Sequence, residues 1–316
     1  MRLSYSKLSK FDSGGPSALL TKYDSTNAMN FGSLVDDMIT NPDEVNDKYY
    51  VSTVEEPTAS LKVLINNIKD NESVVHVEGN RLIVIEAEII NIIANLGLWS
   101  KIVDVDKLNA KWNNDHFTNY LFHYIKSKGK ILVSFEDFSL AQTIVKSLKS
   151  NQFTQIYLNE TEDIDIKYQV KIKFDYDKFK FVGILDIVHI NHKLKQVTPI
   201  DLKTGENGSF MKSWRMFRYD IQFGLYTEAI KSYVKQYYPD YEIMPMLYIY
   251  VNKNKPNKPS VFSFDKEWED AAKNGTRYTR GWLELSENVI WHYDNNLFDY
   301  SKEMYENGSV NIKFYD

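Results

Sequence analysis

Between Gln155 and Thr204 the chain reads as four strand patterns in close succession, QIYLNE, IKYQVKIKF, KFKFVGILDIVHI and QVTPIDLKT, divided by turn residues at Asp175–Asp177 and Asn191–His192. Runs rich in β-branched and aromatic residues, broken by Asp and Asn, predict strands that fold back on one another in one sheet. Two of these runs carry charge where an apolar strand should not. Asp186 sits between Leu185 and Ile187, and Asp201-Leu202-Lys203 closes the next run. On an extended strand Asp201 and Lys203 share one face while Ile200 and Leu202 point to the other. The triplet alone fits a surface ion pair, worth about 0–1 kcal/mol, as well as half of a metal site. The hairpin turning at Asn191–His192 is what brings Asp186 towards Asp201, and an uncompensated charge inside an apolar strand is costly. Asp186 alone also fits a strand aspartate held by hydrogen bonds or turned to solvent.

The rest of the chain predicts one large unit without internal repeats or long Gly, Ser or Pro linkers. Apolar residues recur at helical spacing over Phe31–Ile39, Leu61–Ile68, Leu82–Leu96, Leu108–Lys126 and Phe135–Leu148, the last with Ser134 as an N-terminal cap. After the strands, Ser209–Tyr237 reads as one long helix, Glu242–Val251 and Val261–Phe264 as further strands, and Asp265 to about Tyr293 as a last helix or a broken pair. The expected fold class is α/β (α+β), with a central mixed sheet flanked by helices and a mostly helical N-terminal region.

Composition narrows the chemistry. A chain of 316 residues with 43% hydrophobic content can bury a full core. It has no cysteine, which excludes disulfides, thiolate zinc sites, cysteine-ligated iron–sulfur clusters and cysteine nucleophiles. Any metal must be held by oxygen or histidine. Thirty-eight basic against 43 acidic residues give a net charge of −5, so any nucleic-acid surface must be local. MRLSYSKLSK lacks the apolar core of a secretory signal, and the run from Leu82 carries Glu86 and Glu88 and is too short for a bilayer. The expectation is a soluble, intracellular (cytoplasmic) protein with no membrane partner. There is no G-x-x-x-x-G-K-[ST] loop for ATP and no G-x-S-x-G elbow for serine hydrolysis. His189 and His192 are expected to be exposed at the turn rather than to bind metal.

Two carboxylates and an ammonium are the groups that metal-dependent phosphodiester hydrolysis uses. Carboxylates hold Mg²⁺ or Mn²⁺, the ion stabilises the attacking and leaving oxygens, and an ammonium beside it stabilises developing negative charge. Downstream, Gln222 and Tyr226 in YDIQFGLY share a helix face, which fits ordinary packing as well as a site facing the sheet. Lys212, Arg215 and Arg218 recur every three residues as a basic stripe for phosphate or a solvated face, and Trp214 and Phe217 between them fit inward packing or stacking on a base. Lys253, Lys255 and Lys258 form an acid-free loop.

In this order the motifs resemble the PD-(D/E)XK nuclease superfamily, and within it the RecB/RecE-like branch of phage recombination exonucleases. GILD (183–186) matches the first aspartate motif, IDLKT (200–204) the D-x-K motif, YDIQFGLY the Y-x-x-Q-x-x-x-Y helix, and SYSKLSKF with AMNFGSLVDDMI the opening motif. The family's opening histidine is replaced by Asp36, which either serves as a ligand in its place or alters the site. The resemblance implies Asp186 and Asp201 as metal ligands, with the Leu202 carbonyl and Asp36 as further candidates and Glu160 as an additional acid. It implies Lys203 as the residue positioning the attacking water, and Gln222 and Tyr226 as residues steadying the scissile strand. It further implies one nuclease domain over 1–316: residues 1–40 in the active-site core, 41–150 a helical insertion or lobe, and 151–316 the catalytic sheet. The implied activity is Mg²⁺-dependent (Mn²⁺ substituting) exonucleolytic digestion of duplex DNA ends without an iron–sulfur cluster, with a single-strand annealing protein and self-association as candidate partners. The alternatives are a catalytically impaired DNA-binding or assembly protein on the same fold and a structure-specific endonuclease.

Overall fold

The computed structural model describes residues 1–21, 26–55, 57–79, 81–127, 129–206 and 208–310. They fall into two compact units, Met1–Ala28 with Thr143–Asp316, and Met29–Gln142.

The first unit is built on a six-stranded sheet whose strands are β1 (Ile164–Tyr176), β2 (Phe179–Asn191), β3 (Gln196–Gly205), β4 (Glu242–Ile243), β5 (Leu247–Asn252) and β6 (Ser260–Ser263). The order across the sheet is β6-β5-β3-β2-β1, with β4 also paired to β3. β1, β2 and β3 form the antiparallel meander that their turn residues predict, while β3 and β5 run parallel. A parallel neighbour needs a long crossover. The chain between them supplies it with α2 (Phe210–Met216) and α3 (Tyr219–Tyr237), and α1 (Tyr5–Ala18), α4 (Lys266–Asn274) and α5 (Trp282–Asn295) complete the helices used below.

Helix α3 is buried along most of its length because it has neighbours on two sides. Phe223, Leu225, Ala229 and Ile230 share one core with Phe181, Leu185, Val188, Ile190 and Val197 of the sheet. Gly224 lets Trp282 of α5 approach, since a Cβ there would stand 2.7 Å from the indole. Burying each large apolar side chain contributes about 1.5–3 kcal/mol.

In the second unit the helices Ala59–Ile68, Glu86–Asn95 and Asp115–Ser127 and the end of Val105–Trp112 surround Leu61, Leu64, Ile68, Ile89, Trp112, Phe117 and Leu121. Two small sheets join them, Tyr49–Ser52 with Ile131–Ser134 and Val75–Glu78 with Arg81–Val84.

Several expected elements differ, each for a local reason. Leu82–Leu96 opens as a hairpin strand, because Gly79 turns the chain at φ 60° and β-branched Ile83 and Val84 pair with Val75–Glu78 before the helix begins at Glu86. Leu108–Lys126 is split at Asn113–Asn114, where the Asn114 side chain accepts a hydrogen bond from Phe117 N at 3.0 Å and caps a new helix. QIYLNE is not a strand: Gln155–Tyr157 form a 3₁₀ turn. Glu242–Val251 is two strands, β4 and β5, and Ser209–Tyr237 is two helices. The cap at Ser134 is present, its hydroxyl accepting from Asp137 N at 3.0 Å. Among the described residues no helix is long and apolar enough to cross a membrane.

Candidate active site

The site forms where β2 and β3 part. Their ladder runs from Asn191–Gln196 to Ile187–Ile200, and one step further the register would set Asp186 opposite Asp201. That step is missing from the ladder. The Leu202 N–H donates instead to Asp186 Oδ2 at 2.9 Å, so a carboxylate takes the place of a strand partner. From Ile200 onward β3 follows β5, with Asp201 beside Tyr248 and Lys203 beside Tyr250. The edge of β2 thus vacated is taken up by the N-terminus: Leu3 N donates to Lys180 O and Val182 N to Leu3 O, each at 2.8 Å. This seats the start of α1 beside the parted strands.

At the same place β2 turns over. Phe181 and Leu185 on one side of Asp186, and Val188 and Ile190 on the other, all reach the core shared with α3. Odd-numbered residues therefore face the helix before Asp186 and even-numbered ones after it, which a regular strand cannot do. Opposite Asp186, between the regular pairs Tyr168–Ile187 and Val170–Leu185, stands Gln169 with φ 49°. A left-handed residue other than glycine costs about 1–3 kcal/mol and persists where its surroundings over-determine it, most often at functional sites.

Asp201 is completely buried. Its Oδ1 accepts from Gln222 Nε2 of α3 at 2.8 Å, and its Oδ2 pairs with Lys203 Nζ. Burial pushes its pKa up, Lys203 pulls it down and Asp186 raises it again, leaving it at about 7. Burial works against the Lys203 ammonium, but the charges of Asp201 and Asp186 outweigh that, and its pKa is raised. Lys203 is thus held as a cation against Asp201, with the charge of Asp186 adding to the attraction. Tyr226 is buried beside them, its pKa raised by burial and then by Asp201 and Asp186. Its ring explains Gly183: a Cβ there would lie 3.2 Å from Tyr226 Cε1.

Asp186, Asp201, Lys203, Gln222 and Tyr226 are therefore brought together. Three tyrosines to which the motifs assign no role join them. Lys203 Nζ lies 5.0 Å from the Tyr219 ring centroid, Tyr5 carries an electrostatic effect from Lys203 and donates its hydroxyl to Phe217 O at 2.5 Å, and Tyr248 neighbours Asp201 across the parallel ladder. Tyr219 was readable, being three residues before Gln222 and seven before Tyr226 on one helix face. Tyr5 lies within SYSKLSKF, but nothing in that stretch singles it out.

The structure gives the other expected residues these surroundings. Glu160 is exposed, accepting from Ile166 N at 3.4 Å. Asp36 lies on the helix Asn27–Thr40 in the second unit, near Tyr49. Lys212 and Arg215 are exposed on α2. Arg218 is not in their stripe: it is a left-handed residue between the helices, paired with Asp12 and Asp220 and donating to Arg280 O at 2.7 Å. Lys253 pairs with Glu206 at 2.7 Å. His189 is buried in β2 against Tyr157 rather than exposed at the turn, and His192 bridges Tyr241 Oη and Asp165 Oδ2 at 2.9 Å each.

Among the described residues no group of three or more His, Asp or Glu side chains is placed to hold a metal ion. The Asp186–Asp201 pair nonetheless fits a hard divalent cation. Both are oxygen donors of the kind Mg²⁺ and Mn²⁺ take, and the mutual repulsion that helps raise the Asp201 pKa is what a dication relieves.

The family model of the PD-(D/E)XK nuclease superfamily matches residues 124–294, more than half of the chain. No curated protein matches it. Among solved structures, a candidate exonuclease from Eubacterium rectale is 13% identical with a TM-score of 0.47, over 99% of this chain and 91% of that one. With Asp186, Asp201 and Lys203 gathered at parted strands of a mixed sheet, the chain belongs to the PD-(D/E)XK nuclease superfamily. Nucleases of this superfamily generally use divalent metal ions.

Proposed function

We propose that the chain is a Mg²⁺-dependent deoxyribonuclease, with Mn²⁺ able to substitute, that digests duplex DNA from its ends. The observation that carries this reading is the buried Asp201 held between Lys203 and Gln222 at the point where β2 and β3 separate. In this reading Asp186, Asp201 and the Leu202 carbonyl hold the ion. When bound, a divalent cation supplies Lewis-acid stabilisation to the attacking and leaving oxygens of the phosphodiester. Lys203 orients the attacking water and stabilises negative charge developing on the phosphate. Gln222 fixes the orientation of Asp201, and Tyr226 walls the carboxylates on the helix side. Lys212 and Arg215 supply phosphate contacts along α2. The end preference and the setting in phage recombination, with an annealing partner and self-association, rest on the resemblance of GILD, IDLKT and YDIQFGLY to the RecB/RecE-like branch.

The test compares linear, nicked and covalently closed circular duplexes with Mg²⁺. Loss of the linear form, with closed circles spared, is expected. Cleavage of closed circles as fast as linear DNA excludes the exonuclease reading and leaves an endonuclease. Absence of cleavage in Mg²⁺ and Mn²⁺ alike, with metal binding retained, makes the chain a binding protein.

A further inference from the structure

We infer that Phe217 is a stacking platform for an unpaired nucleobase of the substrate, set one aromatic ring away from Lys203. The inference rests on the nuclease reading and adds a subsite to it.

The sequence from Ser209 to Tyr237 contains no proline, and its one glycine, Gly224, lies well beyond the break, yet the helix is interrupted at Phe217–Arg218. Arg218 adopts φ 53° and ψ 48°, a left-handed conformation that a long side chain takes only when held there. It is held: its guanidinium pairs with Asp12 and Asp220 and donates to Arg280 O, while Arg280 itself bonds Asp12 at 2.8 Å. The preceding carbonyl, Phe217 O, accepts from Tyr5 Oη at 2.5 Å and from Ser9 Oγ at 3.5 Å. The backbone of this corner is therefore tied from α1, α3 and the segment before α5.

All this fixing leaves an apolar ring in solvent. Phe217 is 49% exposed and Met216 61%, whereas Phe210 and Trp214 of the same short helix are 2% exposed. The Phe217 ring lies 5.7 Å from that of Tyr219 at an interplanar angle of 31°, and Lys203 Nζ stands 5.0 Å from the Tyr219 centroid. The open part of Phe217 is thus carried on a tied backbone, one ring away from the ammonium assigned to the phosphate. Lys212 and Arg215 are exposed on the same short helix, five and two residues before Phe217.

An open aromatic face one ring from the Lys203 ammonium suits the alternation of bases and phosphates in a single strand, and base stacking on aromatic rings is tolerant of sequence. Bases inside a duplex have no free face. The occupant is therefore a terminal base freed by fraying or a base of a single-stranded overhang.

The experiment measures binding of the full-length protein, in Ca²⁺ in place of Mg²⁺, to a short duplex whose overhang carries 2-aminopurine. Wild type is expected to quench the probe. Phe217→Ala is expected to lose the quenching and to weaken overhang binding about tenfold, the effect of about 1.4 kcal/mol of stacking, while Phe217→Trp restores both. Because the side chain is exposed, circular dichroism should show both variants folded. Quenching and affinity unchanged in Phe217→Ala overturn the subsite and leave the nuclease reading standing. Failure of wild type to bind DNA or to cleave it in Mg²⁺ removes both.

Discussion

The unit made of Met1–Ala28 and Thr143–Asp316 buries a carboxylate completely, at Asp201, and holds a lysine against it. Among the described residues of Met29–Gln142, the buried polar side chains are Ser52 and Ser127, whose hydroxyls donate to nearby carbonyls at 3.2 and 2.6 Å. A buried hydroxyl with a local partner costs little. A buried ion pair costs several kcal/mol of desolvation per ion and is often no more stabilising than an apolar pair of the same size. The contrast sets a buried ion pair in one unit against locally bonded hydroxyls in the other, and the ion pair is the costlier arrangement to keep.

The largest effect that sharpens this contrast is on rate. Asp201→Ala or Lys203→Ala should lower cleavage of end-labelled duplex about a thousandfold or more, since each removes charge from the reacting centre. On stability the single change is costlier than the double one. Lys203→Met leaves Asp201 buried without its cation and should cost about 3–5 kcal/mol in denaturant unfolding, and the double change Asp201→Asn/Lys203→Met should recover most of that. In the second unit, Leu64→Ala should cost about 2–5 kcal/mol through its cavity and leave the Mn²⁺ affinity of the folded protein unchanged. An Mn²⁺ affinity that fell with it would break the contrast.

Smaller effects probe how the carboxylates are held. Gln169 is left-handed opposite Asp186, so Gln169→Gly should preserve Mn²⁺ affinity and Gln169→Val, which resists positive φ, should weaken it about tenfold. Equal affinities in the two variants would separate the turnover of β2 from metal binding. Burial pushes the Asp201 carboxyl up to about 7. A cation must displace its proton below that pH, so Mn²⁺ affinity should fall by up to about tenfold per pH unit as pH drops below 7 and level off above it. A flat profile between pH 5 and 8, roughly bracketing that pKa, would place the ion elsewhere.

Much of the first unit was legible because its signals are local. The strands holding Asp186 and Asp201 follow from residue type and turn residues a few positions apart, and the Gln222–Tyr226 face follows from helical spacing. The break at Phe217–Arg218 was not legible, because it depends on Asp12, 206 residues away, and on the Arg280 carbonyl, 62 residues away. Tyr5 reaches the site only because Leu3 fills the edge that β3 leaves on β2, a consequence of topology. The left-handed Gln169 has no glycine to announce it. QIYLNE misled because a short run with two β-branched or aromatic residues suits a 3₁₀ turn as well as a strand.

The most direct test of the carboxylate centre is calorimetric titration of Mn²⁺ into wild type, Asp186→Asn and Asp201→Asn, with each variant's fold checked by circular dichroism. Binding by wild type and its loss in both folded variants is the expected result; binding by either variant with wild-type affinity would contradict the assignment of Asp186 and Asp201 as the metal-holding pair.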